Sequence, residues 1–129
     1  MKAQQYIDRL LNEGAETQKM SIVDIFDGYP EEGTVIYDYG SRLFNIPMTV
    51  INVDPQTLKS YDLESLLDQF NAHARPWQKK LVGQYIKKYP YDRPIIIHGR
   101  MVVDGNHRTV AAIKAGLKSI PAVDLSEII

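Results

Sequence analysis

Apolar positions recur along the chain with two different spacings, and the changes from one to the other mark its elements. Ala3, Tyr6, Ile7, Leu10 and Leu11 follow helical spacing, and Gly14 closes the pattern. Ser21-Ile-Val-Asp24 has capping-box spacing and predicts a short second helix. Asp27–Gly33 reads as a loop, and Thr34–Tyr39 is expected as a strand bounded by Gly40. Met48–Val53 is strongly β-prone and ends at Pro55. Asp62 is expected to cap a helix whose Leu63, Leu66, Leu67 and Phe70 form an apolar stripe. Asn71–Pro76 is expected as a loop, with Pro76 suited to the first turn of a helix over Trp77–Tyr89. In that helix Trp77, Leu81, Tyr85 and Tyr89, with Val82 and Ile86 beside them, make an apolar face. Lys79, Lys80, Gln84, Lys87 and Lys88 make a basic one.

The densest pattern lies at 94–123. Ile95–Ile97 and Met101–Val103 are short apolar runs broken by His98-Gly99-Arg100, a hairpin signal. Asp104-Gly105 then turns the chain, and Asn106 is the expected N-cap of a helix carrying Val110, Ala111, Ile113 and Ala115. Gly116 ends that helix, and Ile120–Val123 returns as a strand. Short strands alternating with helices predict an α+β domain.

Strand, loop and helix meet at Asp104-Gly-Asn-His-Arg-Thr109, and the residue types there point to phosphate. A glycine at 105 admits close backbone approach. The first N–H groups of the helix, with the positive end of its dipole, form an anion site. His107 and Arg108 bring two cation-capable side chains to the first turn, and a guanidinium suits phosphate oxygens. The expected phosphate-binding set is Gly105, Asn106, His107, Arg108 and Thr109, with Arg108 projecting from the helix start. Asp104, beside the loop, is the candidate Mg²⁺ ligand or base. Asp104, His107 and Arg108 are together the candidate catalytic residues.

Pro94-Ile, the hairpin, Asp104-Gly-Asn-His-Arg108, Ala111-Ala112, Gly116 and Ile120-Pro-Ala-Val123 resemble the signature of the ParB/sulfiredoxin superfamily. The resemblance covers about residues 47–125, with Val50-Ile-Asn-Val-Asp54-Pro55 similar to the family's first strand. It implies a small mixed sheet flanked by helices over 47–129. Residues 1–46 lie outside the resemblance and read as an acidic N-terminal extension of helix, loop and strand, expected to form one compact unit with the rest. It also implies that Gly105, His107 and Arg108 contact nucleotide phosphates. Asn106 stands where sulfiredoxin carries its reactive cysteine, and the chain has no Cys, so thiol-dependent sulfinic acid reduction is excluded. His107 replaces the first arginine of the ParB-type pair. The chain runs only to Ile129, so no ParB-type helix-turn-helix is expected.

Composition adds little, and charge adds more. A chain of 129 residues with 44% hydrophobic and 24% charged content is expected to form one ordinary globular domain. The polar start Met1-Lys-Ala-Gln-Gln is not a signal peptide, and no run is long enough to span a bilayer, so a cytoplasmic protein without membrane contact is expected. The net charge of −1 hides an asymmetry. Residues 1–70 hold 5 Lys+Arg against 12 Asp+Glu, and residues 71–129 hold 10 against 4. Either the basic half faces an anionic partner or the two halves attract each other across the fold. Arg75, Lys79 and Lys80 are the candidate polyanion-binding residues.

Other residues carry weaker signals. Glu64 and Asp68 lie one helical turn apart and read as a solvated face. His98 is expected to be exposed in its turn, and His73 lies where it could reach a site. The three histidines share no metal-ligand spacing. Three functional classes follow. The first is a nucleotide-binding module for ATP or CTP, with Mg²⁺-dependent hydrolysis or phosphoryl transfer. The second is a ParB-like nuclease or DNA-backbone binder. The third is a non-catalytic protein whose acidic N-terminal part binds a protein partner.

Overall fold

Ile95, Ile96 and Ile97 are all buried, and that unbroken apolar run follows from a sheet covered on both faces. The computed structural model describes residues 18–129, so the expected helix through Ala3–Leu11 lies outside the described residues. The strands are β1 (Lys19–Met20), β2 (Met48–Thr49), β3 (Ile51–Val53), β4 (Ile95–His98), β5 (Met101–Asp104) and β6 (Ile120–Asp124). The helices are α1 (Ile22–Phe26), α2 (Val35–Asp38), α3 (Leu66–His73), α4 (Pro76–Lys87) and α5 (Asn106–Ala115). This is an α+β domain. The larger sheet has the order β3-β6-β4-β5, with β6 parallel to β4 and the other pairs antiparallel. A separate β1-β2 pair is antiparallel.

Alternation along the strands assigns each residue to a layer. Ile95, Ile97, Val102, Ile120 and Ala122 pack with Leu66, Val82, Val110 and Ala111 from the three longer helices. Ile96, Val103 and Val123 face the other way, onto Ile22, Ile25, Ile36, Leu43 and Phe44. Residues from 18 to 46 thus supply the second cover of the sheet. α1 holds its place through the expected capping box. Ser21 Oγ accepts the Asp24 N–H at 3.2 Å, and the Asp24 carboxylate accepts the Ser21 N–H at 2.9 Å.

Several local expectations are corrected. Thr34–Tyr39 is not a strand, because the Thr34 hydroxyl accepts the Tyr37 N–H and caps helix α2, which buries Ile36. Met48–Val53 is two strands in two sheets. Val50 is buried between them, and its N–H donates to the Gln18 carbonyl at 2.9 Å. Asp62 does not cap α3. Ser60 to Glu64 form a turn in which Leu63 takes φ +61° and stands out in solvent, and Ser65 caps the helix instead. Asn71–His73 belongs to that helix, so the connection to α4 is only Ala74 and Arg75. Asn106 is not an N-cap but the first helical residue, after Gly105 at φ +105°. His98 is half-buried, its Nδ1 paired with the Tyr39 hydroxyl at 3.0 Å, which ties the 18–46 cover to the β4–β5 hairpin.

Ile96 is fully buried between the sheet and that cover, whereas Ile86 is 41% exposed on α4. We expect Ile96→Ala to lower unfolding free energy by about 3 kcal/mol, and Ile86→Ala by less than about 1 kcal/mol. Urea denaturation of the two variants measures the contrast.

Candidate functional site

Arg108 lies at the heart of the expected site, but it does not project from it. Its side chain is 4% exposed, so the expectation that it stands out of the helix start is corrected. One terminal nitrogen, Nη1, donates to the Arg93 and Pro94 carbonyls, and Nη2 donates to Asp104 Oδ2 at 3.0 Å. The reason is geometric. Residues 104 and 108 are four apart across the start of α5, and the chain entering β4 presents the Arg93 and Pro94 carbonyls to the same guanidinium. A guanidinium fork satisfies all three acceptors at once. Burial works against its charge and the Asp104 carboxylate supports it.

Gly105 and Thr109 complete this scaffold. A Cβ on Gly105 would come within 2.5 Å of Ile95 Cγ2 and 3.1 Å of Arg108 Nη2, so the helix start packs directly on β4. The glycine is thus required by packing and by its positive φ. Thr109 is fully buried, and its hydroxyl donates to the Gly105 carbonyl at 2.9 Å. Its side chain does not face the loop surface.

What remains open is the helix start itself. No side chain caps α5, so the first N–H groups of the helix have no such partner. They open on a cavity of about 280 Å³ lined by Tyr85, Arg93, Asp104, Gly105, Asn106 and His107, among others. Arg93 is exposed and brings a second guanidinium to its wall. Asn106 and His107 also line a larger cavity of about 390 Å³, walled by Leu66, Phe70, His73 and Val110. His107 is therefore the ridge between a polar hollow and a mixed one.

The proton on His107 is decided by Gln78. The Gln78 Oε1 accepts the Arg75 backbone N–H at 2.8 Å, which orients the amide. Its Nε2 then faces His107 Nε2 at 3.2 Å. An amide NH₂ only donates, so His107 Nε2 accepts, and the neutral ring carries its proton on Nδ1. Burial lowers the His107 pKa from its ordinary value, with Asp104 opposing. Charging the ring would set two donors against each other, which acts in the same direction as burial. His107 is a neutral N–H donor at a helix start. The Trp77 ring lies 5.7 Å from the imidazole, tilted by 49°.

The other expected residues separate. Arg75, Lys79 and Lys80 are all exposed, but Lys79 lines a groove with Phe70, Ile86 and Lys114 away from the α5 start. Glu64 accepts from the Gln69 side chain at 2.8 Å. Among the described residues no group of three or more His, Asp or Glu could hold a metal ion. No helix among them is long and apolar enough to cross a membrane. Arg93 and Gln78 were not singled out in the sequence. Arg93 carries no pattern of its own, and Gln78 is marked only by its place three residues after the cap position of a helix. No family model, curated protein or solved structure matches the chain.

Two outcomes follow. Arg108→Ala would leave three acceptors without a donor, and we expect a loss of about 3 kcal/mol in unfolding free energy by urea denaturation. With its folded pKa below the ordinary imidazole value of about 6.5, His107 takes up a proton in the unfolded chain first. Its contribution to stability is complete above that value and is lost as pH falls through the lower folded one. The acid-side slope of melting temperature against pH should flatten in His107→Gln.

Proposed function

We propose that this protein binds a nucleotide through its phosphates at the start of α5, as a member of the ParB/sulfiredoxin-like group. One observation carries the reading: α5 begins without a side-chain cap, at a polar cavity that also holds a guanidinium. A phosphate there accepts the N–H groups of the first helical turn, at the positive end of the helix dipole. Arg93 meets it from the opposite wall, and the Nδ1–H of His107 supplies a further donor. Arg108, largely buried at the inner wall of the same cavity, holds the helix start in place. The mixed cavity beyond His107, with Phe70 and Val110 in its wall, takes the rest of the nucleotide, ATP or CTP.

The residues suit a Mg²⁺ that arrives with the phosphates. Asp104 is partly exposed beside the cavity, with one carboxylate oxygen committed to Arg108. Its other oxygen would be the protein's ligand, since Mg²⁺ at such sites takes few carboxylates and several phosphate and water oxygens. Bound there, the ion would neutralise charge on the phosphates. Asp104 and His107 are the groups placed to hold or move a proton in hydrolysis or phosphoryl transfer. A cytoplasmic setting, where such nucleotides are abundant, completes the proposal.

Thermal shift against ATP, CTP, GTP and UTP, with and without Mg²⁺, tests it. One nucleotide class should raise the melting temperature. Asn106→Asp places a carboxylate at the first helical position, which leaves the helix as stable or slightly more so. It should fold normally and abolish the nucleotide shift. An unchanged shift in that folded variant would remove the phosphate from the α5 start.

A further inference from the structure

Trp77 is the chain's sole tryptophan, and its ring is 58% exposed on the first turn of α4. The apolar face expected for that helix does not include it. Val82 is buried and Leu81 half-buried, while Trp77 is left outside, resting against the His107 ring. A large aromatic in water needs a partner to gain from its area. Its surroundings define that partner by charge. From Arg75 to Lys88 the sequence holds five cations and no Asp or Glu. Among the described residues, Arg75, Lys79 and Lys80 form no ion pair. Lys80 lies three residues past Trp77, on the same flank of the helix and about 5 Å along its axis. Lys79 is nearly opposite and borders the Lys114 groove.

We infer that this flank of α4 binds single-stranded nucleic acid, with one unpaired base stacked on Trp77. Arg75, the extended N-cap residue just ahead of the turn that carries Trp77, and Lys80 bind phosphates near that base. An exposed indole offers a π-face to any base, and the flanking cations take the backbone, which together make sequence-tolerant strand binding. A duplex keeps its bases stacked on one another and has none to offer. An acidic protein surface would satisfy the lysines, but only a strand brings a flat ring with every phosphate. The His107 ring holds Trp77 from one side, so the platform is set before a strand arrives.

The tryptophan is its own probe. Titration with twelve-residue oligo(dT) and oligo(U) should quench Trp77 fluorescence in a saturable way at low salt. The affinity should fall with a log–log salt slope of about −1.4, the value for two phosphate contacts on a single strand. Trp77→Ala, followed by anisotropy of a labelled strand, should weaken binding about tenfold or more, and Trp77→Phe by less. Lys80→Glu should weaken it further and flatten the salt slope, because one phosphate contact is lost. Binding of the DNA or of the RNA strand supports the inference. It is overturned if neither strand quenches, if a duplex binds as tightly as a strand, or if Trp77→Ala binds unchanged. Trp77→Ala should keep any mononucleotide thermal shift, and Asn106→Asp should keep strand quenching within severalfold. The strand surface and the phosphate cavity therefore fail separately.

Discussion

The Arg108 guanidinium is the constraint on which the rest of the site depends. One side chain joins the backbone entering β4, the carboxylate ending β5 and the first turn of α5. A buried cation is tolerated only when its donors are matched, and here two carbonyls and a carboxylate match them. This fixes where α5 begins. Gly105 then has to pack against Ile95 without a Cβ, and the N–H groups of the helix are left facing outward. The polar cavity follows from a helix start that is anchored from inside and uncapped from outside.

A second layer of control lies in α4. Gln78 both receives the Arg75 N–H and donates to His107, so a helix-start hydrogen bond and a ring tautomer share one amide. A side chain that serves the backbone has little freedom to rotate. His107 inherits that rigidity, and its ring proton is kept on Nδ1. The Trp77 ring on its other neighbour adds bulk to the same ridge.

Much of this was legible in the sequence where the signal is local. The capping box at Ser21, the hairpin through Gly99, Pro76 at the first turn of α4 and the helix closed by Gly116 all read directly from residue type and spacing. Thr34–Tyr39 misled because its β-branched and aromatic residues favour a strand, while the Thr34 hydroxyl and burial of Ile36 settle a single helical turn. Tertiary context overrode propensity there. The cap expected at Asp62 falls three residues later, on Ser65, because Ser60–Glu64 first forms a turn. The chemistry at 104–109 was legible as a list of residue types but not as directions. Nothing in Asp-Gly-Asn-His-Arg-Thr says that Arg108 turns inward, because its partners include carbonyls 14 and 15 residues earlier. Trp77 sat at the right spacing for the apolar face, and only packing shows that the face closes without it.

The strand order has a consequence for how the chain is made. β6 lies between β3 and β4, yet it is the last of the described strands in sequence. As the polypeptide leaves the ribosome, β3 and the β4–β5 hairpin have nothing to join them until residues 120–124 follow. The pairing of Ile51 with Ala122 spans just over half of the chain, and such distant contacts are slow to close. The hairpin can form early on local contacts alone. Folding of the whole is therefore held until residues 120–124 have emerged, when one five-residue strand enters a slot already half built.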